Sequence, residues 1–332
     1  MKKIDIFPHI FPKAYFDKMV DVIPNKAAVR RWTNIPVLYD LDARLRMMEQ
    51  FGPDYQQILT LSMPAVEYVA PADKSAELAK IANDGMAEIV AKHPNQFPAF
   101  VASIGMNNVK DSLAEIRRAV ETLDARGIQI FTNVNGRPVD DPEFAPIFEA
   151  MHSYDLPIWM HPTRPQKFAD YPGENGSKYD IWWCFGWPYE TSVAMARLVL
   201  TGLLDRYPKI KIITHHGGGM IAFFDKRIEN GLASLGGRTK EEDYSGVLKS
   251  LKRPFMDYFH DFYADTALFG DSLGLDCALK FFGSDKMVFA SDSPFGPIKL
   301  HTDAIEARDF ERPTYETITR RNAEKLLKMS FT

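Results

Sequence analysis

Short apolar runs alternate with helix-length amphipathic stretches along the whole chain of 332 residues. Runs typical of buried strands are Ile4–Phe7, Gln57–Leu61, Phe97–Ser103, Ile128–Thr132, Leu156–His161, Ile210–His215, Phe262–Asp265 and Met287–Ser291. Helical patterns lie between them at Asp73–His93, Val109–Arg126, Asp141–Ser153, Glu190–Tyr207, Met220–Ala233, Leu273–Phe282 and Thr314–Met329. Strands separated by helices form parallel sheets, and eight of them in this alternation predict an α/β fold, the closed (β/α)8 TIM barrel.

The domain organisation follows from the connections between these runs. An open nucleotide-binding sheet would carry GxGxxG after its first strand, and the sequence there is Phe7-Pro-His-Ile-Phe-Pro12. Two segments are longer than a minimal barrel needs, near residues 10–38 and 168–188, and long loops after barrel strands lie at the catalytic mouth. We therefore expect a single barrel domain over residues 1–332, with insertions in these two loops.

Composition narrows the class of partner. The formal net charge of −4 argues against nucleic-acid binding, and a content of 45% hydrophobic and 25% charged residues is typical of a globular protein. The two cysteines, Cys184 and Cys277, are far apart and predict neither a disulfide framework nor a zinc knuckle. No apolar run approaches the roughly 18 residues of a membrane span, and the N-terminal pattern is not that of a signal peptide. We expect a cytoplasmic protein with no membrane partner.

Histidines mark the ends of several predicted strands. His9 and His161 lie at such ends, and Asp292 follows the eighth strand. Side chains at this edge of a barrel converge, and imidazoles with a carboxylate suit a divalent metal such as zinc. Alternation along the sixth strand puts His215 and His216 on opposite faces. We expect His216 to point into the site and His215 to pack outward.

Three glycines, Gly217–Gly219, follow His216 where the sixth strand is predicted to pass into a helix. Glycines there let the backbone approach a ligand closely and leave free N–H groups at the helix start. A histidine next to this turn suits a general acid or base.

Segments spread over nearly the whole chain resemble the decarboxylase branch of the amidohydrolase superfamily. That branch includes aminocarboxymuconate-semialdehyde decarboxylase, γ-resorcylate decarboxylase, 5-carboxyvanillate decarboxylase and the related 4-oxalomesaconate hydratase. The segments are Ile4–His9, Arg44–Gly52, Met160–Pro162, Gly186–Thr191, His216–Gly219, Ser291–Phe295 and Ile318–Leu327.

The resemblance implies a role for specific residues. It implies that one divalent ion, zinc or manganese, is held by His9, His161 and Asp292. It implies that His216 is the catalytic acid or base. If the protein were instead a hydrolase, Asp292 or His216 would take the proton of metal-bound water. The resemblance further implies that Arg44 and Arg227 bind substrate carboxylates, the second from the neighbouring subunit of a homodimer or higher homo-oligomer.

Phe7 departs from the family pattern. The family has a histidine or glutamate two residues before His9, and residues i and i+2 share a strand face. Phe7 points at the same place but cannot bind a metal, so we expect a weakened site and keep a metal-free enzyme as an alternative. Phe7 would then form part of an apolar substrate wall, and Asp5, one pleat further down, would be a buried structural carboxylate.

The densest aromatic cluster in the chain is Trp182–Tyr189. We expect Phe185 and Trp187 from this cluster, together with Phe295, to contact a flat acid, although aromatic residues are also enriched at subunit interfaces. The predicted function is a non-oxidative decarboxylase of a small aromatic or unsaturated carboxylic acid. The alternatives are a metal-dependent hydrolase, a hydratase on the same barrel, and a non-catalytic binding protein with a degenerate metal site, which Phe7 alone supports.

Overall fold

The computed structural model describes residues 1–24, 26–238 and 242–331. Two of its wall strands are interrupted, so that β1 (Lys3–Asp5) continues in β2 (His9–Ile10) and β4 (Ala99–Phe100) continues in β5 (Ala102–Ser103). The other wall strands are β3 (Tyr55–Leu61), β6 (Ile128–Phe131), β9 (Ile158–His161), β10 (Ile212–Thr214), β11 (Tyr263–Asp265) and β12 (Met287–Val288). A two-stranded antiparallel hairpin, β7 (Asn133–Val134) and β8 (Arg137–Pro138), lies outside the wall.

The wall strands form a closed barrel. Neighbouring strands are parallel throughout, in the order β2 with β1, β3, β4 with β5, β6, β9, β10, β11 and β12. The barrel closes where the amide of Ile6 donates to the carbonyl of Phe289 at 3.1 Å and that of His9 to Ser293 at 2.6 Å. All eight predicted strands coincide with these wall segments, and the predicted (β/α)8 fold is confirmed.

Helices cover the outside of the barrel and its mouth. The α-helices are α1 (Lys13–Val22), α2 (Arg30–Thr33), α3 (Leu41–Glu49), α4 (Val66–Val69), α5 (Ala72–Lys92), α6 (Val109–Leu123), α7 (Ala145–Tyr154), α8 (Ile181–Cys184), α9 (Gly186–Leu200), α10 (Leu203–Arg206), α11 (Asp225–Leu232), α12 (Val247–Ser250), α13 (Phe255–Phe259), α14 (Ser272–Phe282), α15 (Ile298–Glu306), α16 (Arg312–Glu316) and α17 (Asn322–Leu327). Shorter 3₁₀ turns span Lys26–Val29, Pro36–Leu38 and Pro142–Phe144, and a π-helical segment spans Thr317–Arg321.

Local sequence explains where several of these helices begin. Side-chain oxygens of Asp40, Asn108 and Asp271 accept hydrogen bonds from the first free amides of α3, α6 and α14. Such N-caps satisfy donors that have no partner within the helix. Among the described residues, no helix combines the length and apolar character needed to cross a bilayer.

Three departures from the predicted helices concern the loops. Helices α1 and α3 lie in and beside the first long loop, and α15 follows the eighth strand, where no helix was predicted. The predicted helix over Met220–Ala233 begins only at Asp225. The glycines preceding it adopt left-handed φ angles of 64°, 79° and 66°, which keeps the chain in turns there.

Candidate active site

Polar side chains from distant strands meet at the carboxyl end of the barrel. His9 lies in β2, His161 ends β9 and Asp292 follows β12, and all three are buried. The His9 and His161 ring centroids are 5.1 Å apart, and His9 Nε2 lies 3.0 Å from Asp292 Oδ1. The structure therefore brings together the three residues expected to hold a metal.

His215 is the fourth member of this cluster, and the expectation that it packs outward is wrong. Its ring is fully buried, with its centroid 5.6 Å from that of His9 and 5.1 Å from that of His161. Strand alternation applies only within a strand, and β10 ends at Thr214. His216 then adopts a left-handed φ of 57°, so both rings enter the barrel and stack with their centroids 3.8 Å apart.

Hydrogen bonds to the Nδ1 atoms orient His9 and His161. The Thr60 hydroxyl donates to the carbonyl of Pro8, so its oxygen accepts from His9 Nδ1 at 3.2 Å. The carbonyl of Pro162 accepts from His161 Nδ1 at 2.6 Å. Each neutral ring carries one proton, which leaves a lone pair on Nε2. His9 Nε2 correspondingly has no hydrogen-bond partner among the described residues, in spite of its nearness to Asp292.

The two adjacent histidines of the sixth strand are oriented in the same way. Asp265 accepts a hydrogen bond from His215 Nδ1, and the carbonyl of Ala267 accepts one from His216 Nδ1 at 2.7 Å. His215 Nε2 then lies 3.4 Å from Asp292 Oδ1. Lone pairs of imidazoles and a carboxylate thus converge on one region, an arrangement that attracts a cation.

Burial and the carboxylates of Asp265 and Asp292 shift the pKa values of the clustered histidines in opposite directions. Burial lowers the pKa of His9 and of His161, and it lowers the pKa of His216 to about 4. Burial also acts on His215, but the carboxylates of Asp265 and Asp292 outweigh it and raise the pKa to about 9. His215 is thus the imidazole of the cluster whose protonation the neighbouring carboxylates favour.

Phe7 lies beneath the cluster. It does not line the cavity, which contradicts its expected place in an apolar substrate wall. Its ring is fully buried and stacks on that of His215 with centroids 4.0 Å apart, while the His9 and His161 rings contact its edge or face at 5.7 and 5.9 Å. Asp5 is a buried carboxylate that accepts hydrogen bonds from Tyr55 and Ser291. This position agrees with the structural role expected for Asp5.

A cavity of about 440 Å³ opens above the cluster. Its walls are mostly apolar, and His161, His216 and Asp292 form the polar part of its inner end. The other lining residues are Arg31, Met63, Trp183, Cys184, Trp187, Pro188, Gly219, Ala267, Leu268, Phe269 and Phe295. Trp187 and Phe295, two of the residues expected to contact the substrate, therefore line this cavity. Two larger clefts at the opposite end of the barrel, beside Lys2 and Lys211, lie far from this chemistry.

Arg31, which the sequence did not single out, supplies the positive charge of this cavity. Its guanidinium carbon lies 5.5–5.9 Å from the ring centroids of Trp182, Trp183, Trp187 and Phe295. Burial lowers the pKa of the guanidinium, and Arg31 belongs to no ion pair among the residues that the structure describes. A partly desolvated, unpaired arginine is available to an anionic ligand.

Arg44 does not reach the cavity, which contradicts its expected role as a carboxylate ligand. Its side chain is fully buried in α3, with Nη1 donating to the carbonyl of His9 at 2.6 Å and Nε donating to Gln57 at 2.9 Å. Burial lowers the pKa of Arg44 to about 10. Arg44 therefore positions the backbone of a site residue from behind the strand.

Two further expected substrate contacts lie outside the cavity of this chain. Phe185 is 73% exposed, and Arg227 is exposed on α11. The glycine turn also differs from the expectation of free amides at a helix start, because the amide of Gly217 donates to Asp265 and that of Gly219 to the carbonyl of His216, and the helix begins only at Asp225. A side chain at Gly218 or Gly219 would collide with Phe282 or Pro188. The glycines are thus required by close packing around His216.

A comparison of the chain with known families and structures gives a consistent result. The model of the family described as Amidohydrolase matches residues 33–329. γ-Resorcylate decarboxylase from Polaromonas sp. (strain JS666) is 31% identical over 299 residues, which cover 87% of each chain. The 2-amino-3-carboxymuconate-6-semialdehyde decarboxylase of Dictyostelium discoideum is 28% identical over 291 residues, covering 87% of this chain and 77% of the relative.

Solved structures of similar proteins share the whole fold. The 5-carboxyvanillate decarboxylase from Sphingomonas paucimobilis superposes with a TM-score of 0.82 at 25% identity, covering 99% of each chain. A dihydroxybenzoic acid decarboxylase from Polaromonas sp. JS666, solved with manganese and the inhibitor 2-nitroresorcinol, superposes with a TM-score of 0.78 at 27% identity. That match covers 98% of this chain and 97% of the other.

Proposed function

Since the chain belongs to the amidohydrolase family, we propose that it is a carboxy-lyase that removes CO₂, without oxidation, from a small aromatic or unsaturated carboxylic acid. The observation that carries this proposal is the pairing, within one apolar cavity, of an unpaired cation at the mouth with an imidazole at the inner end. Arg31 provides the first and His216 the second. A metal-dependent hydrolase needs a base for its attacking water and an acid for the leaving group, whereas a decarboxylase needs a group that orients the carboxylate and a proton donor to carbon. Arg31 and His216 together match the second requirement.

Arg31 is proposed to bind and orient the substrate carboxylate. The planar guanidinium offers paired donors to a carboxylate, and the surrounding rings of Trp183 and Trp187 hold the substrate ring by stacking and exclude water. The indole N–H of Trp187 is buried without a partner among the described residues, which leaves a donor for a polar ring substituent. A low-dielectric wall also disfavours the ionised carboxylate relative to neutral CO₂.

His216 is proposed to deliver the proton. When the bond to CO₂ breaks, its electron pair stays on carbon and must be joined by one proton. The Nδ1 atom of His216 is occupied by the carbonyl of Ala267, so Nε2 is the atom that exchanges protons with the cavity. Burial favours the neutral ring in the empty cavity, but a bound carboxylate favours the imidazolium, so substrate and proton enter together.

A divalent metal is proposed at the histidine cluster, with His9, His161 and Asp292 as ligands. The fit rests on the converging lone pairs and on His9 Nε2, a buried atom with no hydrogen-bond partner among the described residues. Imidazole and carboxylate donors suit manganese or zinc. When bound, such an ion acts as a Lewis acid on a substrate oxygen. Burial raises the pKa of Asp292, but the neighbouring His215 outweighs this effect and holds the pKa well below the usual range, so Asp292 remains an anion in that role.

We also propose that the chain forms a homodimer. Phe185 and Phe223 are 73% and 78% exposed, and large exposed aromatic side chains are typical of surfaces that a partner covers. The role expected for Arg227 across this interface stays a prediction. Sedimentation equilibrium tests it, because a monomer at micromolar concentration contradicts the dimer.

The proposed function is tested with the acids named for the relatives. Purified protein with added Mn²⁺ is incubated with 2,6-dihydroxybenzoate, 5-carboxyvanillate, 6-methylsalicylate or 2-amino-3-carboxymuconate-6-semialdehyde, and CO₂ release is measured. Release from at least one acid, abolished in His216→Asn, supports the proposal. Cleavage of esters, amides or lactones by a protein that releases no CO₂ from any of the acids contradicts it and favours a hydrolase.

A further inference from the structure

We propose that His215 supplies the metal ligand that the family pattern places at position 7 and that Phe7 removes. The complete ligand set is then His9, His161, His215 and Asp292. This inference rests on the proposed metal-assisted function and assigns the ion a ligand from the sixth strand in place of one from the first.

Distances within the cluster support the exchange. One ligand atom each from His9, His161 and His215 lies within 4.8 Å of the others. Asp292 Oδ1 lies 3.0 Å from His9 Nε2 and 3.4 Å from His215 Nε2. Ligand atoms that share a tetrahedral ion at about 2.1 Å stand about 3.4 Å apart, so only small side-chain movements separate this cluster from a closed coordination sphere.

Asp265 gives His215 the orientation that a ligand needs. The Asp265 carboxylate accepts from His215 Nδ1, and the amides of Gly217 and Ala267 donate to its other oxygen at 3.3 and 3.1 Å. Both side chains are fully buried. A carboxylate fixed in this way holds the proton on Nδ1 and directs the Nε2 lone pair at the ion, as in metal-bound histidines generally.

Phe7 and His215 are complementary in space. Their rings stack with centroids 4.0 Å apart and an interplanar angle of 25°. Phe7 lies in the interruption between β1 and β2, with its ring in contact with that of His9, but it offers no lone pair, while the adjacent ring of His215 offers one. The apolar ring closes the cluster from below and keeps His215 from tilting away from Asp292. The loss at one position is thus compensated at the other.

Metal binding to the full-length chain tests this exchange without a substrate. Protein freed of metal by chelation is titrated with Mn²⁺ or Zn²⁺, and the dissociation constant and stoichiometry are measured. In His215→Asn the amide still donates to Asp265, which limits damage to the fold, but the ligand nitrogen is lost. We expect binding to weaken at least about 10–100-fold, and Asp265→Asn to weaken it within the same range. Thermal melting of the metal-free variants verifies that they are folded.

A compensating variant makes the test specific. Phe7→His in the His215→Asn background returns a ligand to the first strand and is expected to recover most of the lost affinity. Pulsed EPR of the Mn²⁺ form is expected to count three coordinated imidazoles in the wild type, two in His215→Asn and three again in the double variant. His260→Ala, an exposed histidine far from the site, is the matched control and is expected to bind metal as the wild type does.

The outcomes separate this inference from the proposed function. Wild-type affinity in His215→Asn, or two coordinated imidazoles in the wild type, overturns the ligand exchange even if CO₂ is released. A wild type that binds neither ion also overturns it. Metal binding that depends on His215 in a protein that decarboxylates none of the acids sustains the exchange and contradicts only the proposed reaction.

Discussion

The guanidinium carbon of Arg31 lies 5.6 Å from the centroid of the Trp187 ring. This contact holds a cation inside an aromatic cage without a neutralising carboxylate among the described ion pairs. Cation–π attraction offsets part of the cost of desolvating the charge, and a substrate carboxylate would offset the rest. The guanidinium of Arg31 therefore belongs to no ion pair among the described residues and is available to an anionic ligand.

Replacing Arg31 tests its role in binding. In Arg31→Gln we expect KM for the substrate acid to rise about 10–100-fold, since a charge-assisted hydrogen bond contributes about 1.5–3 kcal/mol. The adjacent Arg30 is exposed on the same short helix, and Arg30→Gln is expected to leave KM within about twofold of the wild type. Steady-state kinetics on both variants decides the matter, and an equal rise in KM would contradict the assignment to Arg31.

Arg44 is expected to affect stability and not substrate affinity. Arg44→Met removes the donors to His9 and Gln57 and leaves their oxygens buried, which lowers the free energy of unfolding by roughly 2–4 kcal/mol. Urea denaturation measures this loss, and KM of the folded variant is expected to change far less than in Arg31→Gln. A large rise in KM at unchanged stability would show that Arg44 binds the substrate, as the sequence first suggested.

Replacing His216 is expected to slow the chemical step without affecting metal binding. In His216→Asn the amide can still donate to the carbonyl of Ala267, but no proton reaches the cavity, so kcat is expected to fall about 10²–10⁴-fold. The metal content is expected to equal that of the wild type. Elemental analysis of the same preparation provides the check, and loss of the ion would make His216 a ligand.

The buried carboxyl of Glu67 is expected to make the free energy of unfolding depend on pH, independently of the active site. Burial, against the weaker effect of nearby backbone amides, raises the pKa of this carboxyl from 4.5 to about 7. The folded protein binds the proton more tightly than the unfolded chain, so stability is full below pH 4.5 and falls as the pH rises towards 7. The isosteric Glu67→Gln avoids this loss, which is on the order of 3 kcal/mol for the fully ionised group.

Thermal melts at two pH values check the effect of Glu67. Glu67→Gln is expected to melt at a higher temperature than the wild type at pH 8 and at nearly the same temperature at pH 4.5. A difference that does not change with pH would mean that the carboxyl titrates normally. The matched control is Glu88→Gln, at an exposed site on α5, which is expected to show no gain at pH 8.

The sequence predicted the barrel and part of the site for reasons that the structure makes clear. His9, His161 and Asp292 end or follow wall strands, and parallel strands of a barrel bring such ends together. His215 was misplaced because β10 ends one residue earlier than the alternation argument requires. The left-handed φ of His216 then directs both rings into the barrel. The hydrophobic pattern of the sequence does not indicate this backbone conformation.

Arg31 was missed for a different physical reason. It lies in a four-residue helix within a long loop, where no hydrophobic period assigns a face to its side chain. Its contacts are with rings from α8, α9 and the segment after β12, all more than 100 residues away along the chain. Arg44 was singled out instead because the segment Arg44–Gly52 resembles the family pattern.

The reaction itself is tested most directly by following the proton. Protein loaded with Mn²⁺ is incubated in D₂O with the acid that releases CO₂ fastest, and the product is examined by ¹H NMR and mass spectrometry. We predict one deuterium at the carbon that carried the carboxylate and none elsewhere, with equal amounts of CO₂ and product. Two results would contradict decarboxylation. One is a product with water added across a bond, and the other is a hydrolysed product that keeps its carboxylate.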